Sequence, residues 1–249
     1  INLFSNFPKI FLILLSINLI YCENPDISST KSSLIEVKGP DDPILSKYIS
    51  VYRDSIKLGL DEVIGFSDNT YTKNDFNNIN FNSSLGNLIA DIIFIQSDSI
   101  FKLRENRNID FVLQNHGGLR ASLLKGEIKL SDAYKILPFD NEIVVVEVLG
   151  ETVFEIISFL KNEINPHPIS GITINETRSL IRGSFIDPEK KYSIATNDYL
   201  LNGGDQMFFF GNNLEVYNLG YYLRDAFIDF TKTNLELTSK IDNRFLKNE

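Results

Sequence analysis

One cysteine, Cys22, and two histidines, His116 and His167, are the whole supply of those residue types in 249 residues. No disulfide framework, zinc ribbon or histidine-rich metal cluster can be assembled from so few. Whatever this chain folds into must therefore be held by buried apolar surface. With 43% of residues apolar and 23% charged, the chain can build such a core, and wholesale disorder is excluded. Its length fits one domain of about 200 residues plus flanking segments. The formal charge of −9, from 33 acidic and 24 basic residues, opposes a phosphate backbone, so no general nucleic-acid binding is expected. A small anion held by one local arginine remains compatible with it.

The N-terminus speaks to the compartment. Residues 10–20 are an apolar run preceded by Lys9 and followed by Tyr21, Cys22, Glu23 and the turn-prone Asn24-Pro25-Asp26. One positive charge, a run shorter than the about 20 residues of a spanning helix, and a polar boundary predict a secretory signal peptide over 1–22. A secreted product is expected, extracellular or periplasmic, with no stable membrane span. The sequence begins at Ile1 rather than methionine, which reads as a truncated reading frame. Residues 23–43 are polar and read as a linker, leaving a domain over 44–249. Two sequons, Asn82-Ser83-Ser84 and Asn175-Glu176-Thr177, would make the product a glycoprotein on a eukaryotic secretory route.

Within the domain, apolar positions recur at helical spacing over 44–60. Residues 63–66 suggest a short strand. Ser83 and Ser84 are N-cap candidates for an amphipathic helix over 85 to about 96. Residues 109–114 predict a strand ending in a turn at 115–118, and 126–130 a second strand. Ser131 then caps a short helix ending near Leu137-Pro138. The run 143–148 hardly alternates, which predicts a mostly buried strand. Residues 152–161 predict a helix with Val153, Phe154, Ile156, Ile157 and Leu160 inward. Strand-like segments at 171–174 and 192–196 precede a second glycine turn at 202–205 and a last helix over about 219–230. Strands and helices mix without strict βαβ alternation. The expected class is α+β, a mixed sheet flanked by helices.

Familiar catalytic constellations are absent from the sequence: no G-x-S-x-G, no Walker loop, no G-x-G-x-x-G, no H-E-x-x-H. Asn115-His116 looks like the Asn-His pair of binuclear metallophosphatases, but such sites need several further His and Asp ligands. Only His167 is left, so that site cannot be completed. What remains is a set of turns following strands. The stretch 113–120 puts bare backbone, the Asn115 amide and the Arg120 guanidinium at one strand end. Glycines let a ligand approach the main chain, and Arg120 offers a planar fork for phosphate or carboxylate. The same residues also suit a plain structural turn. Phe139, beside Asn141, reads by itself as a core residue before it reads as a loop aromatic. Tyr199 and Asp205 flank the second glycine turn. Two loop aromatics could sandwich a flat base, each face contributing about 1–3 kcal/mol where base stacking has been probed.

In chain order, four segments resemble the C-terminal, nucleotide-selecting domain of the 5'-nucleotidase/apyrase family. They are Ser84-Leu85-Gly86-Asn87-Leu88-Ile89-Ala90-Asp91, the turn over 115–122, Leu137-Pro138-Phe139, and 195–205. The likeness runs from about residue 44 to 245. It implies a purine nucleoside or nucleotide stacked between Phe139 and Tyr199. It further implies that Asn115 and Asn141 contact the base, Arg120 the phosphate and Asp205 the ribose hydroxyls, while Gly171 packs against the base and 85–91 is a scaffold helix. The chain departs from the family at His116, where a glycine is usual, and at Asn82, where glutamate is preferred. Further phosphate-binding arginines of the family have no counterpart in 70–81, whose one basic residue is Lys73.

Family members hydrolyse phosphate esters with a separate N-terminal metallophosphoesterase domain, whose two divalent metals of zinc or manganese type activate water. These 249 residues hold no counterpart of it. No catalytic residue, metal or other cofactor is expected within them. The expected function is the nucleotide-recognition domain of a 5'-nucleotidase-type hydrolase in nucleotide catabolism, completed by a catalytic domain on the untruncated chain or in trans. The alternative is a free-standing secreted binder of nucleosides or nucleotides without turnover.

Overall fold

The computed structural model describes residues 39–234 and 236–247. The expected signal peptide with Cys22, and most of the expected linker, lie outside them. Helix α1 (Pro43–Leu60) covers the 44–60 expectation. Its first turn is capped by Asp42, whose Oδ1 accepts the N–H groups of Ile44 and Leu45 at 2.8 and 3.1 Å.

The core is built on a five-stranded sheet. Strand β2 (Phe111–Leu113), β4 (Glu142–Leu149), β5 (Ile169–Ser170), β9 (Lys191–Asn197) and β10 (Glu215–Tyr222) lie in the order β10-β4-β9-β2-β5. Only β9 and β2 run parallel; the other three pairings are antiparallel. This is the mixed sheet of an α+β fold. Helix α2 (Ser84–Glu105) and helix α6 (Leu223–Thr233) cover one face, where Ile89, Ile93 and Phe227 meet Val112, Ile143 and Val145. Helix α4 (Gly150–Asn162) covers the other with Val153, Ile156 and Leu160 against Val144, Val146 and Val148. Both faces of β4 are thus buried, which is why its valines do not alternate with polar residues. Each buried valine contributes about 1.5–3 kcal/mol relative to exposure.

Two small sheets complete the fold. Strand β1 (Val63–Ser67) pairs antiparallel with β3 (Gly126–Lys129) and parallel with β11 (Glu236–Leu237). Strands β6 (Ile172–Ile174), β7 (Ser179–Ile181) and β8 (Ser184–Phe185) form an antiparallel meander.

The start of α2 has a structural explanation for its sequence signature. Ser83 is the N-cap, its Oγ accepting the Gly86 N–H at 3.1 Å. A Cβ on Gly86 would sit 2.7 Å from that same oxygen. Asn87 donates to the Lys240 carbonyl at 2.9 Å, and Asp91 receives both terminal nitrogens of Arg244 at 2.8 and 2.9 Å. The segment therefore anchors the C-terminal stretch of the chain onto the helix.

Several boundaries differ from expectation. Helix α2 runs past 96 because the polar Ser97 is satisfied inside it, its hydroxyl donating to the Ile93 carbonyl, and Phe101 is buried one turn later. It stops at Asn106 in the left-handed region. Helix α3 (Leu130–Ile136) starts before Ser131: the carboxylate of Asp132 accepts the Lys129 N–H at 2.9 Å and does the capping. Phe154 is 46% exposed, one step off the inward stripe of α4. Residues 219–222 belong to β10 rather than to the last helix: the strand passes through an irregularity after Asn218 and pairs with β4 again at Tyr222. Asn82 is buried, and its Nδ2 donates to the Asp242 carbonyl at 2.8 Å, so the nitrogen a glycan would need is already engaged. Among the described residues, no helix is long and apolar enough to cross a membrane.

Candidate functional site

The topology brings three loops to one end of the large sheet. Parallel neighbours β2 and β9 both deliver their C-terminal ends there, and antiparallel β4 begins there. After β2 comes the turn at 115–118, a single 3₁₀ turn His116–Gly118 rather than irregular chain. Before β4 comes the 137–141 loop. After β9 comes α5 (Asp198–Leu201), with Asn197 as N-cap, and then the second glycine turn. The end of a sheet where such loops converge is a common place for a ligand.

Each loop is held by specific bonds. On the 137–141 loop, buried Arg224 donates to the Leu137 carbonyl at 3.1 Å and pairs with Asp140, so it grips the chain on both sides of Phe139. The Leu223 N–H donates to the Asn141 carbonyl at 3.0 Å. The Glu142 N–H donates to Asp198 Oδ1 at 3.2 Å and joins this loop to the one after β9. Asp205 joins that last loop to the first turn. Its Oδ2 accepts from Asn115 Nδ2 at 2.9 Å and its Oδ1 from the Tyr199 hydroxyl at 2.9 Å. The Asp205 N–H donates back to the Tyr199 oxygen at 3.2 Å. Donation to a carboxylate holds the Tyr199 hydroxyl above its ordinary pKa.

Together these residues wall one cleft of about 350 Å³, lined by Asn115, Gly117, Arg120, Phe139, Asn141, Tyr199 and Asp205. That volume is in the range of small-molecule sites. Phe139 is 48% and Tyr199 45% exposed. The core alternative for Phe139 is therefore not what the fold uses. Six of the seven residues singled out from the sequence are brought together. Gly171 is not: it lines a separate cavity with Asp91, Ser170, Arg182 and Arg244. Its φ is +83°, and a Cβ there would stand 2.7 Å from the Asp110 carbonyl oxygen and from the Phe94 ring. Backbone conformation and packing account for this glycine, away from the cleft.

One charged residue absent from the sequence-derived set also reaches the site. Lys73 Nζ donates to the His116 carbonyl at 3.4 Å. Burial, together with the neighbouring Arg120 charge, holds its ammonium below the usual lysine range. Arg120 itself is exposed and lightly held, donating to the Gly117 carbonyl at 3.3 Å. Two cations thus act on each other beside the first turn, Arg120 in the wall of the cleft and Lys73 on the His116 carbonyl next to it. The basic signal at Lys73 is visible in the sequence; its proximity to Arg120 is not, because an irregular segment carries it there.

The histidines sit behind the first turn. His116 Nδ1 lies 3.3 Å from the Pro166 carbonyl, and its ring meets Phe76 edge-on. The His116 backbone N–H donates to His167 Nδ1 at 3.3 Å. Burial lowers the pKa of both, with Lys73 adding to the effect at His116. A neutral His167 is the form that can accept that bond. Among the described residues, no group of three or more His, Cys, Asp or Glu is placed to hold a metal ion.

Comparison with known proteins points one way. The family model described as "5'-nucleotidase, C-terminal domain" matches residues 63–212. The Endonuclease YhcR of Bacillus subtilis is 28% identical over 191 residues, covering 72% of this chain and 14% of its own length. The NAD 5'-nucleotidase of Haemophilus influenzae is 28% identical over 159 residues, covering 51% of this chain and 26% of its own. The crystal structure of a 5'-nucleotidase precursor from Thermus thermophilus superposes with a TM-score of 0.69 at 22% identity, over 84% of this chain and 44% of that one. This chain spans less than half the length of each.

Proposed function

Because the chain belongs to the family of 5'-nucleotidase C-terminal domains, we propose that its cleft binds a purine nucleoside or nucleotide and serves as the recognition part of a nucleotide hydrolase in nucleotide catabolism. One observation carries this reading: two half-exposed aromatics, Phe139 and Tyr199, wall the same cleft as two amides, a carboxylate and an arginine. A flat base between the rings gains stacking on both faces. Asp205 spends one lone pair on each oxygen and keeps others, so it can still accept ribose hydroxyls. Asn115 and Asn141 supply amide donors and acceptors for the base edge. Arg120 and Lys73 repel each other, and a phosphate between them would turn that repulsion into attraction.

Hydrolysis is the part of the proposal that these residues do not carry. It is assigned to a metallophosphoesterase domain, on a longer chain or in trans, whose two zinc- or manganese-type metals supply the attacking hydroxide. The working compartment is proposed to be outside the cytoplasm.

The test is a calorimetric titration of the whole chain with adenosine, AMP and ATP, beside Phe139→Ala and Tyr199→Ala. Saturable binding is expected, weakened roughly tenfold or more by either variant. AMP is expected to bind more tightly than adenosine, and by less in Arg120→Ala. A folded native chain that binds none of the three would sink the reading.

A further inference from the structure

Gln114 is the residue immediately before the first glycine turn, and it is 3% exposed. Its main chain is pinned, with the N–H donating to the Pro168 carbonyl at 2.8 Å. Its side-chain orientation is dictated from β9. Asn197 Oδ1 accepts the Leu200 N–H at 2.9 Å as an N-cap, so the nitrogen end of that amide must face the other way. That nitrogen donates to Gln114 Oε1 at 2.7 Å. Flipping Gln114 would set two NH₂ groups against each other. Its Nε2 is thereby committed to the opposite side, where it is buried and has no partner in the protein.

Buried donors are almost always met in folded proteins, and an unmet one is strongly unfavourable. Gln114 lines a recess of about 10 Å³ that adjoins the cleft. The recess shares Phe139, Asn141 and Asn115 with the cleft and is otherwise walled by apolar side chains such as Ile89, Ile93 and Leu223. Room for one water at most remains there.

We propose that Gln114 is a specificity-determining residue of the cleft, its Nε2 donating to an acceptor on the inward edge of the bound base, directly or through a single water. This rests on the reading of the cleft as a purine site. It narrows the ligand to a heteroaromatic base that presents a ring nitrogen or carbonyl oxygen toward Phe139 and Asn141. A flat ring without that acceptor would seal the recess and leave the donor unmet, which is how a polar site rejects an analogue lacking one atom.

The experiment titrates the whole chain with adenosine and its 1-, 3- and 7-deaza analogues, in the native form and as Gln114→Glu. Glutamate keeps the shape and the acceptor for Asn197 but lacks the donor. One analogue is expected to bind the native chain about five- to tenfold more weakly than adenosine, and that gap closes in the variant. A flat series in the native chain, or the same gap in both proteins, overturns the proposal. Should the variant fail to fold, the native chain decides: of its three glutamines, Gln96, Gln114 and Gln206, the buried side-chain amide in a ¹⁵N-glutamine spectrum must shift on adding adenosine, and an unmoved signal overturns the assignment. Adenosine binding that depends on Phe139 and Tyr199 with a flat deaza series removes Gln114 alone. No nucleoside binding at all removes the purine site and this inference together.

Discussion

The two glycine turns face each other across the cleft and use their glycines in opposite ways. At 115–118 no residue has a left-handed φ. Glycine is needed for room at one position: a Cβ on Gly118 would stand 2.8 Å from Asn115 Oδ1, whereas one on Gly117 would meet only an ordinary contact, 3.6 Å from Asn115 Nδ2. At 203–206 the backbone itself is unusual, with φ of +84° at Gly203, 49° at Asp205 and 63° at Gln206. Gly204 lies under the Tyr199 ring, where a Cβ would come within 2.4 Å of a ring carbon. Left-handed backbone at a non-glycine residue costs roughly 1–3 kcal/mol and persists only where the surroundings enforce it. Here Asp205 is enforced by its three bonds to Asn115 and Tyr199. One turn makes space for a side chain held by a single bond to Asp205, and the other fixes a ring against the backbone itself.

That contrast predicts unequal consequences for the same substitution. Gly204→Ala should have the largest effect. The obstacle is a ring tied at its hydroxyl to Asp205, so Tyr199 has to leave its place. Adenosine affinity should fall by roughly tenfold or more, the loss of one stacking face, with a lowered melting temperature. Gly118→Ala meets only the far end of the Asn115 side chain, which can swing. A loss of about fivefold is expected, one hydrogen bond's share, with little change in melting. Equal losses in calorimetry, or a larger one for Gly118→Ala, would break the distinction between the turns. Asp205→Asn sharpens it further. The Tyr199 hydroxyl should titrate nearer its ordinary value, read by ¹³C-tyrosine spectra, because its raised pKa comes first from the bond to Asp205.

The same contrast explains what could be read in advance. Phe139 and Tyr199 are legible through the family resemblance, since the local pattern by itself favours a core place for Phe139 and Tyr199 lies in the short helix α5. Gly171 has the same residue type and a positive φ, but what it avoids is the Asp110 carbonyl and the Phe94 ring, tertiary neighbours that no local pattern names. Lys73 is hidden because 67–83 has no periodicity to say where it goes. The end of β10 is misread as helix since Leu219 lies four residues before Leu223 and eight before Phe227, a helical spacing, whereas the strand runs on through an irregularity to pair with β4 at Tyr222. Strands of two residues, β5, β8 and β11, are too short to show a period at all. The buried strand β4 and the apolar stripes of α2 and α4 carry strong local signals, and those elements are found where the sequence put them, apart from their ends.

The smallest expected effect separates the turns by pH. His167 Nδ1 accepts the His116 N–H at the start of the first turn, and it bears on the second through the charge of Asp205. Burial sets the His167 pKa below its ordinary value of 6.5, with Glu163 and Asp205 pulling the other way. The unfolded chain therefore takes up the proton first as pH falls. The stabilisation from neutral His167 is complete above pH 6.5 and is lost as pH drops through the folded pKa. His116, lowered by burial and by Lys73, adds a contribution of the same sign. The melting temperature should decline between pH 7 and 5, and less steeply in His167→Asn, whose amide oxygen can take over the acceptor role of Nδ1 without titrating. In amide spectra over the same range, 115–118 should move more than 202–205, which His167 reaches only through the Asp205 charge. If both turns shift together, the Asn115–Asp205–Tyr199 bonds couple them into one unit. The difference between a yielding turn and a locked one would then be a difference of packing alone.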